Sequence, residues 1–323
     1  MYSLPLLVQA QDQQFSQFFS APLYMNPAFT GLTYEHRLAA IFRNQWPGVN
    51  TGWTGYMAAY DYNSSELHSG FGGTILQDRA GTPSLVTFKA ALNYAYVLQL
   101  NKYSDLRGGL SFGMAQKKID NTVLVFNDQL ITGANMSQDA RNTQAINYSD
   151  LGAGILYNSL EFWAGAAVQH LNSPNISLTG GNEVLDRLYN LHGGYRFILE
   201  AHGPGKNKLV EYVSLSAQYR RQQKFDQLDI GAYYFKSFFI LGAYYRGLPF
   251  KKTPNNRGNR ESMVLMAGIE KPDKGWRIGY SYDITISTLQ IRNTMGAHEI
   301  SLVYEIAKKK KRTRRVLVSC PKF

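Results

Sequence analysis

Histidine, serine and cysteine are the side chains in this sequence that could serve as base, nucleophile or metal ligand. The six histidines stand at positions 36, 68, 170, 192, 202 and 298, with no spacing typical of a metal site. Ser301 and His298 are three residues apart, so on a strand they point to opposite faces and cannot pair as nucleophile and base. We therefore expect no catalytic residue, no metal and no cofactor.

Two further features that could carry chemistry have structural explanations. The glycine cluster Gly70–Gly73 is followed by no helical pattern whose N-terminus could bind a phosphate. Glycines within strands are explained by curvature and close packing. Cys320 is the only cysteine, so neither a disulfide within the chain nor a cysteine-based metal site is possible.

The positive charge of the chain is concentrated at its C-terminus. The net charge is +11, and eight lysines and arginines lie in residues 308–323, so the remainder of the chain is close to +3. A basic surface distributed over the molecule is not predicted, and we expect no nucleic acid among the partners. The tail could be attracted to acidic lipid or glycan surfaces, or could dock on a periplasmic partner through the apolar stretch Val316–Val318.

The elements that would position any site are strands. About fourteen segments alternate with period two or are rich in aromatic and β-branched residues, and helical spacing is almost absent. In one of them Ile278, Tyr280 and Tyr282 share a face, opposite Arg277, Gly279, Ser281 and Asp283. Inward charges such as Arg277, Asp283, Glu299 and Glu305 could line a polar lumen or form networks that brace the wall. The segments are 35–46, 51–62, 67–78, 84–100, 103–118, 145–157, 160–171, 188–201, 208–222, 225–235, 238–247, 262–271, 275–284 and 296–307.

The lengths of the connections distinguish a membrane barrel from a soluble β-sandwich. Each connection is numbered by the segment that it follows. Even-numbered connections are mostly tight turns, whereas the odd-numbered ones include the long stretches Asp120–Gln144, Asn172–Arg187, Leu248–Glu261 and Thr285–Met295. Short turns on one side and long loops on the other are typical of outer-membrane barrels, and a Greek-key sandwich has no reason to sort its loops this way. Segments of about ten residues also match a tilted strand crossing a bilayer. We expect Trp53, Tyr56, Tyr60 and Tyr62 to contribute to aromatic girdles.

The sequence thus predicts an all-β chain: a single transmembrane antiparallel β-barrel of about fourteen strands, with both termini in the periplasm. We interpret residues 1–10 as the remaining part of a signal peptide that ends at Ala10. We expect residues 11–34 to form a periplasmic N-terminal segment or plug, residues 35–307 the outer-membrane barrel, and residues 308–323 a basic periplasmic C-terminal tail. The exposed apolar side chains of the N-terminal segment would be costly in water, so we expect them to pack in the lumen or on the rim.

Several motifs resemble one family. The stretch Gln11–Gly31 (QDQQFSQFFSAPLYMNPAFTG) resembles the mature N-terminus of PorP/SprF proteins, although Ser20-Ala21 departs from the family's usual asparagine before the first proline. Phe42–Trp46 resembles that family's Y-R-x-Q-W motif, Gly72–Gly81 its glycine-rich strand, and Leu110–Gly113 its L-S-F-G strand.

The resemblance implies an outer-membrane barrel of Bacteroidota that serves type IX secretion or gliding motility. It implies that the protein binds, secretes or anchors surface proteins such as adhesins through their C-terminal secretion domain, and contacts secretion components in the periplasm or outer membrane. The alternative is a passive, porin-like solute channel, because a barrel of this size is wide enough for a lumen. The residues we expect to contact partners lie before the first strand, at its end and in the tail: Phe15, Ser16, Gln17, Tyr24, Asn26, Pro27, Gly31, Arg43, Gln45, Trp46, Lys308, Arg312, Arg315, Val316 and Val318.

Overall fold

The structure is a computed structural model that describes residues 12–32, 35–49, 52–81, 85–120, 131, 145–202, 209–252, 258–271, 274–287 and 291–306. Fourteen strands form one closed antiparallel barrel in which each strand pairs with its neighbours in sequence and β1 closes on β14. The expected fold is confirmed. The strands are β1 His36–Gln45, β2 Trp53–Ser64, β3 Ser69–Ala80, β4 Leu85–Gln99, β5 Ser104–Ile119, β6 Ile146–Ser159, β7 Phe162–Gln169, β8 Leu188–His202, β9 Leu209–Gln222, β10 Phe225–Lys236, β11 Phe239–Lys252, β12 Gly258–Lys271, β13 Trp276–Thr285 and β14 Ala297–Ile306.

Short helical turns accompany the strands. Those with given bounds in the described ranges are α1 (Pro22–Met25), a 3-10 turn (Pro27–Phe29) and α2 (Ile291–Thr294). None of the helices in the described ranges is long and apolar enough to cross a membrane.

Alternate residues of each strand face the lumen and the outside, as the period of two requires. On β14, Ile300, Leu302 and Tyr304 are exposed on the outer wall, whereas Glu299 and Ser301 are buried inside. The outer wall is therefore apolar, as hydrocarbon demands, and polar and charged groups collect in the lumen.

Aromatic side chains lie at both ends of the outer wall. Tyr60 and Tyr62 lie near one end of the barrel, where the Tyr60 hydroxyl lies 2.8 Å from Nδ1 of His36. Trp53 differs from our expectation. It faces inward and its indole N–H donates to Asp78 at 3.1 Å, because odd-numbered residues of β2 face the lumen.

The two ends of the barrel differ in their connections. We call the end where β1 begins and β14 ends the turn rim, and the opposite end the loop rim. The loop rim carries the connection 170–187, which contains an isolated bridge between Asn175 and Val184, and the connection that contains α2. Most of Asp120–Gln144 lies outside the described residues.

The prediction of a long loop at Leu248–Glu261 is wrong. β11 continues to Lys252 and β12 begins at Gly258, so most of that stretch is a hairpin extension. The ladder shifts register between Arg246 and Gly247, where Gly247 has φ 144. A bulge of this kind interrupts the two-residue alternation by which strands are detected in a sequence.

Residues 12–32, which we call the lumenal segment, run through the inside of the barrel. Asp12 bonds to His170 and lies close to the loop-side half of β6, whereas Gly31 packs against Gly70 at the turn rim. The chain then leaves the turn rim as β1. Asp12 and Ile306, the two ends of the described chain, therefore lie in different halves of the barrel. The sides on which the actual termini lie stay a prediction.

Candidate functional site

The lumenal segment meets the wall at an ionic cluster, which comprises Arg43, Asp229, Arg246, Asp283 and Glu299. The Arg43 guanidinium donates to Asp283 at 2.7 Å and to Glu299 at 3.1 Å, and Arg246 donates to Asp229 and Asp283 at 3.0 Å each. All five side chains are buried, so the two cations and three carboxylates depend on one another for charge compensation.

The ionic cluster holds the segment at Ser16 and Gln17. The Glu299 carboxylate accepts both backbone N–H groups, each at 2.7 Å. The Ser16 hydroxyl donates to Asp283 and accepts from Arg43, both at 2.7 Å. Because Arg43 lies on β1 and Glu299 on β14, the segment bridges the strands that close the barrel.

His170, just after β7, holds the start of the segment. Its Nε2 lies 2.5 Å from Asp12 Oδ2 and its Nδ1 lies 2.9 Å from Asp150 Oδ1, while Lys89 pairs with the same Asp150. Burial alone would lower the pKa of His170, but the charge of Asp12 and the hydrogen bonds to both carboxylates raise it to about 9. At neutral pH the imidazole is therefore a cation between two anions.

Asn26 fixes the middle of the segment. Its side-chain N–H groups point at the carbonyl oxygens of Ile155 and Ala166 at 3.0 and 3.3 Å and at Nε2 of His192 at 3.0 Å. Its side-chain oxygen accepts from the Ala28 N–H at 2.9 Å and so caps the 3-10 turn. The asparagine therefore orders the backbone and anchors it to the wall at once.

Apolar side chains fill the space around these polar contacts. Phe18 packs edge-on against Tyr244 at 5.5 Å between ring centroids, and Phe19 against Tyr233 at 5.0 Å. A second cluster joins Phe15 to Ile41 on β1 and other inward residues. The lumen thus contains a hydrophobic core to which the segment contributes a large share.

Most residues expected to contact partners are enclosed by the barrel. Those buried are Phe15, Ser16, Gln17, Asn26, Pro27, Gly31 and Arg43; Tyr24, Gln45 and Trp46 are half-buried. Contact between the buried set and another protein would require the segment to leave the lumen. Lys308, Arg312, Arg315, Val316 and Val318 lie outside the described residues, and partner binding by the whole set stays a prediction.

Sequence reasoning placed Arg277, Asp283 and Glu299 on the inner face but did not find their partners. Asp229 and Arg246 come from strands distant in sequence, so only the closed barrel brings them to Arg43. The sequence signal that could have indicated these two residues is a charged side chain at an inward position of a strand that is otherwise apolar.

The inner and outer faces separate the residues considered for chemistry. Ser301 donates to Gln17 inside at 2.6 Å, whereas His298 contacts the Tyr280 hydroxyl on the outer wall at 2.8 Å. Among the residues that the structure describes, no group of three His, Cys, Asp or Glu side chains could hold a metal ion.

The model of one protein family, described as type IX secretion system membrane protein PorP/SprF, matches residues 7–304. The chain belongs to the PorP/SprF family. Family and fold together make this PorP/SprF member a component of the outer membrane that belongs to type IX secretion.

Other comparisons add little to the PorP/SprF assignment. No curated protein sequence matches the chain significantly. Similar solved structures include Omp33 of Acinetobacter baumannii (8% identity, 86% of this chain and 100% of that one, TM-score 0.44). Another is the toluene transporter TodX of P. putida (12% identity, 89% and 94%, TM-score 0.46). At such TM-scores the likenesses carry no further conclusion.

Proposed function

We propose that this barrel binds secreted surface proteins, such as adhesins, through their C-terminal secretion domain and holds them at the outer membrane during type IX secretion or gliding. Membership of the family supports a role in secretion. The observation that favours binding over conduction is the lumen, which is occupied by the protein's own residues 12–32. A barrel filled in this way offers its rims, rather than a pore, to other molecules.

The loop rim is the surface we assign to the secreted protein, with this rim facing the cell exterior. The connection 170–187 is pre-organised by Asn175. The Asn175 side chain donates to the Gly181 carbonyl at 2.9 Å and accepts from the N–H groups of Ser177 and Glu183 at 3.1 and 3.0 Å. A loop held in one conformation loses less entropy when a partner binds. The turn rim and the basic tail are left for periplasmic components and membrane lipid.

The test is an affinity pull-down of tagged protein from outer membranes solubilised in mild detergent, followed by mass spectrometry. We expect a large surface protein to be recovered through its C-terminal domain, together with type IX components. Asn175→Ala should reduce recovery of the surface protein, because the loop loses its three internal hydrogen bonds. Asn101→Ala, on the opposite turn rim, is the matched control, and it should recover as much of the surface protein as the wild type does.

A barrel that returns without companions in repeated pull-downs would overturn the proposal. Equal recovery by Asn175→Ala and wild type would instead remove the loop 170–187 from the binding surface and leave partner binding itself standing.

A further inference from the structure

The wall of the lumen contacts the backbone of residues 12–32 at many points. Glu299 accepts the N–H groups of Ser16 and Gln17, and Asn190 donates to the carbonyl of Met25 at 3.0 Å. Arg107 donates to the carbonyls of Thr30 and Gly31 at 3.3 and 3.2 Å, and Asp61 accepts the Gly31 N–H at 2.9 Å. Main-chain atoms are common to all polypeptides, so such contacts recognise the peptide backbone rather than a particular side chain.

Five inward glycines follow the path of the segment and contact it in turn. A Cβ atom added to Gly55 would lie 1.5 Å from the Gln13 side chain, and one added to Gly279 would lie 2.3 Å from that of Gln17. The same atom on Gly154 would lie 2.1 Å from Asn26, on Gly109 2.2 Å from the Ala28 nitrogen, and on Gly70 2.1 Å from the Thr30 carbonyl. At these five positions the wall lets the peptide approach more closely than any side chain would allow.

Selectivity comes from a few pockets along this path. Asn26 enters a site formed by two wall carbonyls and His192. Phe18 and Phe19 each meet a buried tyrosine edge-on. Backbone contacts that give affinity, combined with a few side-chain pockets that give specificity, are a recurring way in which proteins bind peptides.

We propose that the lumen is a polypeptide-binding site, with residues 12–32 as the ligand that occupies it in the intact chain. The ligand class is a peptide that carries an aromatic pair followed by a short helical turn and an Asn-Pro turn. The site is separate from the loop rim assigned to the secreted protein, and the inference does not rest on that assignment. A detached peptide with the sequence of residues 12–32 binds the same site once the segment is severed from β1.

The experiment uses the full-length protein in detergent, with a protease site introduced between Leu32 and Glu35. After cleavage, a fluorescent synthetic peptide of residues 12–32 is added and its co-migration with the barrel is measured by gel filtration. We expect capture of one peptide per barrel, competed by the unlabelled peptide. The Asn26→Ala peptide should compete about tenfold or more weakly, because a buried polar contact of about 1.4 kcal/mol corresponds to that factor.

Variants of the wall give a second, independent reading. A cut barrel carrying Asn190→Ala should capture less peptide, since it lacks one donor to the backbone, whereas Gly108→Ala on the outer face should capture as much as the wild type. Two results would overturn the inference: the severed segment could leave without the added peptide being captured, or the Asn26→Ala peptide could compete as well as the wild-type sequence. A severed segment that stays in place and excludes the added peptide supports the inference, because the lumen then retains a peptide without a covalent link.

Discussion

Arg43 illustrates how strongly single residues depend on one another inside this barrel. Its side chain is only 2% exposed and lies between Asp283 and Glu299, which are 4% and 0% exposed. Removing one member of such a group leaves the remaining charges buried and uncompensated, which costs far more than the loss of the same pair in water.

Arg43→Ala is therefore expected to lower the free energy of unfolding by about 3–5 kcal/mol. Thermal or denaturant unfolding in detergent would measure the change. The matched control is Arg79→Ala, because Arg79 pairs with Asp120 at 2.6 Å but is 52% exposed, and such pairs contribute about 0–1 kcal/mol. Equal effects of the two substitutions would contradict the assigned role of the ionic cluster.

His170 predicts a dependence on alkaline pH. Burial lowers the pKa of this imidazole, but the charge of Asp12 and the hydrogen bonds to Asp12 and Asp150 raise it overall from an ordinary value of 6.5 to about 9. A raised pKa in the folded state contributes stability that is fully present below pH 6.5 and is lost as the pH rises through about 9. The stability difference between wild type and His170→Gln should therefore be largest below pH 6.5, as long as Asp12 and Asp150 stay ionised, and should shrink between pH 6.5 and pH 9. A difference that does not change over this range would show that the imidazole is not charged in the folded protein.

At the scale of one strand, β5 offers neighbouring glycines in opposite environments. Gly109 faces the lumen, where a Cβ atom would lie 2.2 Å from the backbone of Ala28, and Gly108 faces outward with nothing within 4 Å. Gly109→Ala should destabilise the protein by about 1–3 kcal/mol and increase proteolysis within residues 12–32, because the segment is displaced. Gly108→Ala should change neither. Equal protease resistance of the two variants would argue against close packing on β5.

The strands could be predicted from the sequence because their periodicity is local. The ends of all fourteen lie within two residues of the predicted ones, except where the hairpin of β11 and β12 extends beyond the bulge at Gly247. The position of the lumenal segment could not be derived in the same way. Its contacts join residues such as Ser16 and Glu299, which are 283 positions apart, and no local pattern reports such pairs.

The inward charges could be predicted only in part: the sequence indicates the face on which they lie but not the residues that they contact. Strand parity placed Asp283 and Glu299 on the inner face, and the structure agrees. Their interaction with Arg43 and with the backbone of the segment depends on closure of the barrel, which brings β1 beside β14.

For the whole molecule, the filled lumen predicts very low permeability. Liposomes containing the wild-type protein should take up sugars no faster than protein-free liposomes, because the apolar cluster around Phe18, Phe19 and Met25 occupies the interior. A general porin in parallel liposomes is the positive control. Sugar uptake approaching that of the porin would favour the solute channel instead.

The bond from Ser16 to Glu299 also orders the steps of assembly. Ser16 and Gln17 are held by the last strand, so their final contacts form only when β14 pairs, and contacts of such separation form slowly. Until then the backbone N–H groups of these two residues lack their carboxylate, and we expect this part of the segment to stay accessible to proteases. The time at which residues 12–32 become resistant to digestion during refolding therefore reports when β14 pairs with β1 and closes the barrel. A chain that ends before β14 should never acquire this resistance.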